Sequence, residues 1–446
     1  MSINQRRLFK EEFLQSAQKH FSGWFMDKLI VEGPCTLKGS VQISSAKNAT
    51  LPILVATLLC PYPVTFDSIP ELMDVGTILK LLQSMGVKVT KKGSQTIVDA
   101  SHLDNQHADY ALVKTMRASV LVLGPLLARY GVASVSLPGG CAIGARPVDI
   151  HLMGMEKLGA EIEIENGYIK AHCKKLKGAT ITLPFPSVGA TENLIMAAVL
   201  AEGTTIIENA AMEPEIDDLA DFLIAQGVKI EGAGTSHITV HGMDIKQLKS
   251  PAKPYRVIGD RIEAATFIIA AIMSKGEVRV EGFNPKHLTY VLETLIKMGA
   301  SLEVGEDFVL VKKSQRLKGA IIETAPYPGF PTDVQAQMMA LMSVVEGNSV
   351  VTETIFENRF MHVPEMGRMG SKVTLKGNSA LIEGVEDLSG APVMCTDLRA
   401  SAALILCALI ASGESEIQRV YHLDRGYEKI DEKLTKLGAK IKRVKG

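Results

Sequence analysis

The chain has 446 residues, of which 46% are apolar and 22% charged, and its formal net charge is -1. Such a length exceeds one ordinary hydrophobic core and calls for about two to four domains. The near-zero charge excludes whole-chain attraction to nucleic acid or to an anionic membrane, so any anion site has to be built locally. The six cysteines, Cys35, Cys60, Cys141, Cys173, Cys395 and Cys407, contain no C-x-x-C pair. That argues against a zinc site or a disulfide framework and for a reducing, cytoplasmic setting. The longest apolar run, Ala400 to Ala411, is shorter than the roughly 20 residues of a membrane span.

Residues 1–25 stand apart from the rest. Phe9, Phe13, Ala17, Phe21 and Phe25 recur every fourth position among basic and acidic residues, a possible amphipathic helix to which no role is assigned. From Met26 a different pattern begins. The phrase Met85-Gly86-Val-Lys-Val returns as Leu158-Gly159-Ala-Glu-Ile, Gln226-Gly227-Val-Lys-Ile, Met298-Gly299-Ala-Ser-Leu, Met369-Gly370-Ser-Lys-Val and Leu437-Gly438-Ala-Lys-Ile. The six glycines lie 68 to 73 residues apart, which marks internal repetition. Each follows a helical pattern and precedes alternation, as a helix C-cap entering a strand should. Asn166-Gly167, Gly305-Glu306 and Gly377-Asn378 read as hairpin turns. Leu-Lys-Gly or Leu-Ser-Gly opens a strand at Gly39, Gly178, Gly319 and Gly390.

The expected fold is therefore α/β, with six βαβαββ units in two lobes of three. The last unit lacks its return strand, and Met26 to Gly33 has the pattern to supply it. One lobe would span 47–256. The other would join 26–46 to 257–446, with linkers near Ser45 and Arg256 and a substrate cleft between the lobes.

Between Leu137 and His151 lies a glycine-rich loop, Leu-Pro-Gly-Gly-Cys141-Ala-Ile-Gly-Ala-Arg146-Pro147-Val148-Asp149-Ile150-His. An arginine near a thiol favours the thiolate, and a loop cysteine can reach a substrate. Pro147 biases Arg146 toward an extended conformation. A tight turn with an inert cysteine fits the same residues. The first helix of each unit opens on residues that differ: Lys47-Asn48, Lys114 to Arg117, Ser187 to Asn193, Asp260-Arg261, Thr332-Asp333 and Thr396 to Arg399. Capping alone explains Asp333 and Asp397. It does not explain Lys47, Arg117, Arg261 or Arg399, because cations are unfavourable at the positive end of a helix dipole unless an anion sits there. Arg425 is a further basic candidate, with a surface salt bridge as the alternative. Cations drawn from both lobes suggest a small, multiply anionic ligand. No metal motif, phosphate-binding glycine loop or dinucleotide fingerprint is present. His151 and His362 read as core or capping residues.

Eight motifs together resemble the bacterial UDP-N-acetylglucosamine enolpyruvyl transferase family. They are Ser45-Ala-Lys-Asn-Ala49, Lys114-Thr-Met-Arg-Ala-Ser119, Pro138 to Asp149, Pro186-Ser-Val-Gly-Ala-Thr-Glu192, Phe330-Pro-Thr-Asp-Val-Gln-Ala-Gln337, Phe356-Glu-Asn-Arg-Phe-Met-His362, Thr396-Asp-Leu-Arg-Ala-Ser401 and Asp424-Arg-Gly-Tyr-Glu428. The resemblance spans Met26 to Gly446. It implies the enolpyruvyl transferase fold of two inside-out α/β lobes, and enolpyruvyl transfer from phosphoenolpyruvate to the 3′-hydroxyl of UDP-N-acetylglucosamine. That reaction would pass through a tetrahedral ketal and release phosphate without metal or organic cofactor. It would commit material to peptidoglycan, and so to cell-wall growth, shape and division.

By that resemblance Lys47, Asn48, Arg146, Arg399 and Arg425 hold phosphoenolpyruvate. Arg117, Arg146, Pro147, Val148, Asp149, Ile150, Ser187, Val188, Asp333 and Ile355 hold the UDP-sugar. Cys141 is the general acid, forms the pyruvate adduct and is the target of fosfomycin; Asp333 is the base, and Asp397 joins the catalytic set. Three positions depart from the family pattern: Ser45 stands where many members have glycine, Phe185 where some have a lysine near the uridine, and Leu121 where some have tryptophan. Two rival readings exist. The sister enzyme acting on shikimate 3-phosphate shares the fold but lacks the Pro-Gly-Gly-Cys loop. A non-catalytic ring-like repeat scaffold would need no reactive thiol.

Overall fold

The computed structural model describes residues 27–114, 116–137 and 148–445. The extension 1–25 and the loop residues Cys141, Arg146 and Pro147 lie outside the described residues.

The third unit shows the repeat in full. Strand Thr180–Thr182 leads through helix Val188–Ala198 to Thr204–Glu208, which pairs with it in parallel. Helix Pro214–Ile224 follows, and then Lys229–Glu231 and His237–His241 form a hairpin that adds antiparallel to Thr204–Glu208. The same strand order returns in the sheets built on Val132–Ser136, Asn348–Thr352 and Gly413–Gln418. Left-handed glycines turn the chain out of each second helix: Gly86, Gly159, Gly227, Gly299, Gly370 and Gly438 have φ between 93° and 109°. An L side chain rarely adopts that conformation. This is why glycine recurs in all six copies.

Two sheets are completed by distant chain. Lys28–Gly33 pairs antiparallel with both Gly413–Gln418 and Lys440–Val444, closing the last unit. Lys38–Gln42 pairs in parallel with Glu277–Glu281 and opens the fourth. The first unit departs from the expected pattern. Its sheet has only three strands, and where an opening strand belongs there is a single parallel bridge between Phe66 and Tyr255.

Buried apolar side chains fall into two clusters. One draws on residues from Ala46 to Val257, the other on Leu29 to Ile43 together with Ile262 to Ala439. The two connecting segments meet side by side: Ala46 N–H donates to Ile258 O at 2.7 Å and Asp260 N–H to Ser44 O at 2.8 Å.

The first helix of most units is packed on all sides. Every residue of Arg261–Met273 and of Gln335–Met342 is buried, as are Ala190 to Ala198, Ala49 to Ala56 and Arg399 to Leu409. Helices apolar around their whole circumference belong in an interior. Their charged side chains gather near the first turn, while Asn193 and Thr266 are buried polar groups further along.

Three of the four Leu-x-Gly marks, Gly178, Gly319 and Gly390, have a steric cause, whereas Gly39 has a φ of 118°. A Cβ at Gly390 would stand 2.3 Å from Glu414 O, and one at Gly319 would stand 2.1 Å from Asn348 O. Gly390→Ala is expected to cost about 2 kcal/mol or more by overpacking against backbone. Gly76→Ala, in a helix with nothing within 4 Å of the new Cβ, should gain up to about 1 kcal/mol. Thermal unfolding of the two variants should move in opposite directions.

Candidate active site

Asp333 sits in the short 3-10 turn Thr332–Val334 that leads into Gln335–Met342. It caps nothing. Its carboxylate instead lies between two buried guanidinium groups, accepting from Arg359 Nη2 at 2.5 Å and from Arg399 Nη2 at 2.8 Å. Burial alone would raise its pKa, but Arg399, Arg359 and, from the other core, Lys47 hold the carboxyl well below the usual range. Behind it, Gln337 Nε2 donates to Asp333 O at 2.9 Å and to Tyr427 Oη at 3.1 Å, and Tyr427 meets Thr266 Oγ1 at 2.9 Å. The Arg399 guanidinium lies over the Tyr427 ring, 5.6 Å from its centroid.

Lys47, Arg425 and Arg261 are likewise held by carboxylates. Lys47 Nζ is 2.8 Å from Asp74 Oδ2, and Arg425 Nε donates to Asp74 Oδ1 at 2.9 Å. Arg261 forks onto Glu215 at 3.0 and 3.2 Å, both side chains buried. Besides the anion expected at these cations, protein carboxylates neutralise them, which the sequence did not show. For Arg425 and Lys47 that carboxylate comes from a helix absent from every motif noted above.

Asp397 does cap. It accepts from Arg399 N at 2.9 Å and Ala400 N at 3.0 Å at the start of Leu398–Ile410. Ser187 caps Val188–Ala198 through a longer 3.4 Å bond from Ala190 N. Asn48 is half-buried in the first turn beside Lys47. Val148 precedes Asp149–Lys157, with Asp149 exposed and Ile150 buried. Arg117 opens the 3-10 helix Arg117–Val122 and is close enough to His151 to disfavour its protonation. Lys114, by contrast, closes the four-residue helix Tyr110–Val113 rather than opening one.

Ile355 lies half-buried in a loop organised by Glu353. That carboxylate accepts from Ile355 N at 2.8 Å, Phe356 N at 3.1 Å, and Thr324 and Thr332 hydroxyls at 2.9 Å. Phe185 is exposed and Leu121 buried. Among the described residues no group of three His, Cys, Asp or Glu is placed to hold a metal ion, and no helix is long and apolar enough to cross a membrane.

The family model for EPSP synthase (3-phosphoshikimate 1-carboxyvinyltransferase) matches residues 31–434. The UDP-N-acetylglucosamine 1-carboxyvinyltransferase of Coxiella burnetii is 55% identical over 422 residues, covering 94% of this chain and 96% of that protein. The enzyme of the same name from Enterobacter cloacae is 54% identical over 423 residues, 94% of this chain and 100% of its own. The chain belongs to the UDP-N-acetylglucosamine 1-carboxyvinyltransferase family.

Among solved structures, the enolpyruvyl transferase NikO from Streptomyces tendae superposes with a TM-score of 0.85 at 25% identity, covering 94% of this chain and 99% of its own. EPSP synthase from Acinetobacter baumannii gives 0.74 at 18% identity, over 94% and 100% of the two chains. The latter likeness shows the fold alone. Both agree with two lobes built from repeated α/β units, and membership of this family makes the chain a transferase.

Within that family frame, the structure brings Lys47, Asp333, Arg399 and Arg425 into paired cation–carboxylate groups. Sequence reading missed Asp74, Arg359 and Glu353. Arg359 lay in a quoted motif without a role; Asp74 and Glu353 carried no signal beyond being acidic.

His151 is buried, bonded through Nδ1 to Asn193 Nδ2 at 3.0 Å. Burial, and secondarily Arg117, push its pKa down to about 4. The unfolded imidazole takes a proton below about pH 6.5 while the folded one does not. The resulting stability is fully present above pH 6.5 and is lost as pH falls toward 4, amounting to at most roughly 3 kcal/mol. In denaturant titrations at stepped pH, His151→Gln should flatten stability across that window relative to the parent.

Proposed function

We propose that this chain transfers the enolpyruvyl group of phosphoenolpyruvate to the 3′-hydroxyl of UDP-N-acetylglucosamine and releases phosphate. The observation that carries the reading is identity of 54–55% over 94% of the chain with transferases of that name. The cation-rich first turns of the buried helices supply its chemistry. In the addition step a proton is delivered to the methylene carbon of phosphoenolpyruvate while the sugar oxygen bonds to the neighbouring carbon and gives up its own proton. The tetrahedral ketal then loses phosphate: the carbon–oxygen bond to phosphorus breaks, and the methyl group returns a proton as the double bond re-forms.

Cys141 is the proposed acid, Asp333 the proposed base. Lys47, Asn48, Arg146 and Arg425 would take the phosphate, and Arg399 the carboxylate, for which a planar fork is well shaped. Arg117, Arg146 to Ile150, Ser187, Val188 and Ile355 would hold the UDP-sugar, and Asp397 would orient the reacting groups. The two buried clusters support lobes of 47–256 and of 26–46 with 257–446, with the reaction between them. The further reading is a cytoplasmic step toward peptidoglycan, blocked when fosfomycin alkylates Cys141.

Asp333 gives this scheme an internal order. A carboxylate clamped by two guanidinium groups is a poor base. When the substrate carboxylate draws Arg399 away, one Asp333 oxygen is released toward the 3′-hydroxyl. The base is thereby active only with phosphoenolpyruvate in place.

The test is phosphate release from phosphoenolpyruvate with either acceptor and no added metal. Release is expected with UDP-N-acetylglucosamine and not with shikimate 3-phosphate; the reverse would mean the sister reaction, and neither a non-catalytic scaffold. Cys141→Ala should lose at least about a hundredfold in turnover with its fold intact. A parental rate in that variant would remove the acid role.

A further inference from the structure

Asp74 belongs to the first turn of helix Met73–Ser84, and its side chain is only 6% exposed. Both of its oxygens meet cations. Lys47 Nζ stands 2.8 Å from Oδ2, while Arg425 donates from Nε to Oδ1 at 2.9 Å and from Nη2 to Oδ2 at 3.4 Å. Lys47 opens a helix packed in the first buried cluster. Arg425 ends the 3-10 helix Val420–Arg425, anchored in the second cluster by Val420 and Leu423. One buried carboxylate therefore joins, across the boundary between the clusters, two cations assigned above to the phosphate of phosphoenolpyruvate.

We propose that Asp74 is a positioning residue for phosphoenolpyruvate, holding Lys47 and Arg425 at the separation and orientation in which both reach the substrate phosphate. The inference rests on the proposed reaction. An ammonium has three N–H donors and a guanidinium five, so each cation has the valence to serve Asp74 and a substrate oxygen together. Without the carboxylate, two like charges are left adjacent on long side chains, one from each side of the cleft. Their repulsion and rotamer freedom then have to be overcome each time substrate binds. An asparagine cannot substitute, because it offers one acceptor oxygen and turns an NH2 group toward the second cation. A competing arrangement has the opposite sign. If Asp74 merely occupied the cations until phosphate displaced it, removing its charge would tighten phosphate binding.

The experiment is steady-state kinetics of Asp74→Asn and Asp74→Glu beside the parent enzyme, with each substrate varied and inorganic phosphate as inhibitor. In Asp74→Asn, KM for phosphoenolpyruvate is expected to rise by about tenfold or more and kcat to fall, while KM for UDP-N-acetylglucosamine stays within about twofold. Inhibition by phosphate should weaken in parallel. Asp74→Glu keeps the charge and should recover part of the loss. Unchanged or tighter binding of phosphoenolpyruvate or phosphate in the folded Asn variant would overturn the proposal. Should Asp74→Asn fail to fold, Asp74→Glu decides: its carboxylate is displaced by one methylene, so a parental KM for phosphoenolpyruvate would overturn the proposal equally. A parent enzyme inactive with this substrate pair would count against the reaction itself, which is a separate result.

Discussion

A guanidinium at the buried start of an apolar helix is disfavoured twice, by lost hydration and by the positive end of the helix dipole. Arg261 and Arg399 occupy such positions, and Lys47 a similar one. They are tolerated because Glu215, Asp333 and Asp74 neutralise them. The pair of Arg261 with Glu215 and a further pair on Asp74, from Arg425, join residues on opposite sides of the boundary between the buried clusters. The same contacts therefore gather the cationic site and bring the clusters together. Breaking one partner of such a pair strands a buried charge and is costly, which makes the arrangement well defined without ligand. In the proposed reaction a substrate anion entering here would exchange one partner for another instead of meeting bare charges.

Exchange of partners also resolves a tension in the proposed chemistry. Asp333 is the proposed acceptor of the sugar proton, yet two arginines hold its carboxyl well below the usual carboxylate range. A base suppressed until the second substrate arrives protects the first from futile deprotonation. In the proposed scheme Arg399 is the partner that switches, because a planar fork suits a substrate carboxylate as well as it suits Asp333. In the same scheme Arg359 would stay to orient the released carboxylate, while Glu353 holds the backbone of Ile355 and Phe356.

Much of this fold was legible in sequence because its constraints are local and repeated. Six glycines with left-handed φ imprint a period, and Asn166-Gly167 and Gly377-Asn378 mark hairpins through backbone conformations that few other residues adopt. The closing role of Lys28–Gly33 was readable from a missing strand elsewhere. The replacement of the first unit's opening strand by a bridge to Tyr255 was not, since a single parallel contact leaves no periodic trace. At the site, the anomaly of cations on helix starts pointed to an anion. It did not say that the anion is carried by the chain, because Asp74 lies 27 residues beyond Lys47 and 351 before Arg425, with no pattern linking the three.

The central claim is that Arg399 changes partner and frees Asp333. A crystal structure of the Cys141→Ala variant with UDP-N-acetylglucosamine and phosphoenolpyruvate tests it most directly. The account predicts Arg399 on a carboxylate oxygen of phosphoenolpyruvate, Arg359 still on Asp333, and the released Asp333 oxygen within hydrogen-bond distance of the 3′-hydroxyl. Both substrates bound with Asp333 still clamped by both arginines, and the hydroxyl facing another group, would contradict it.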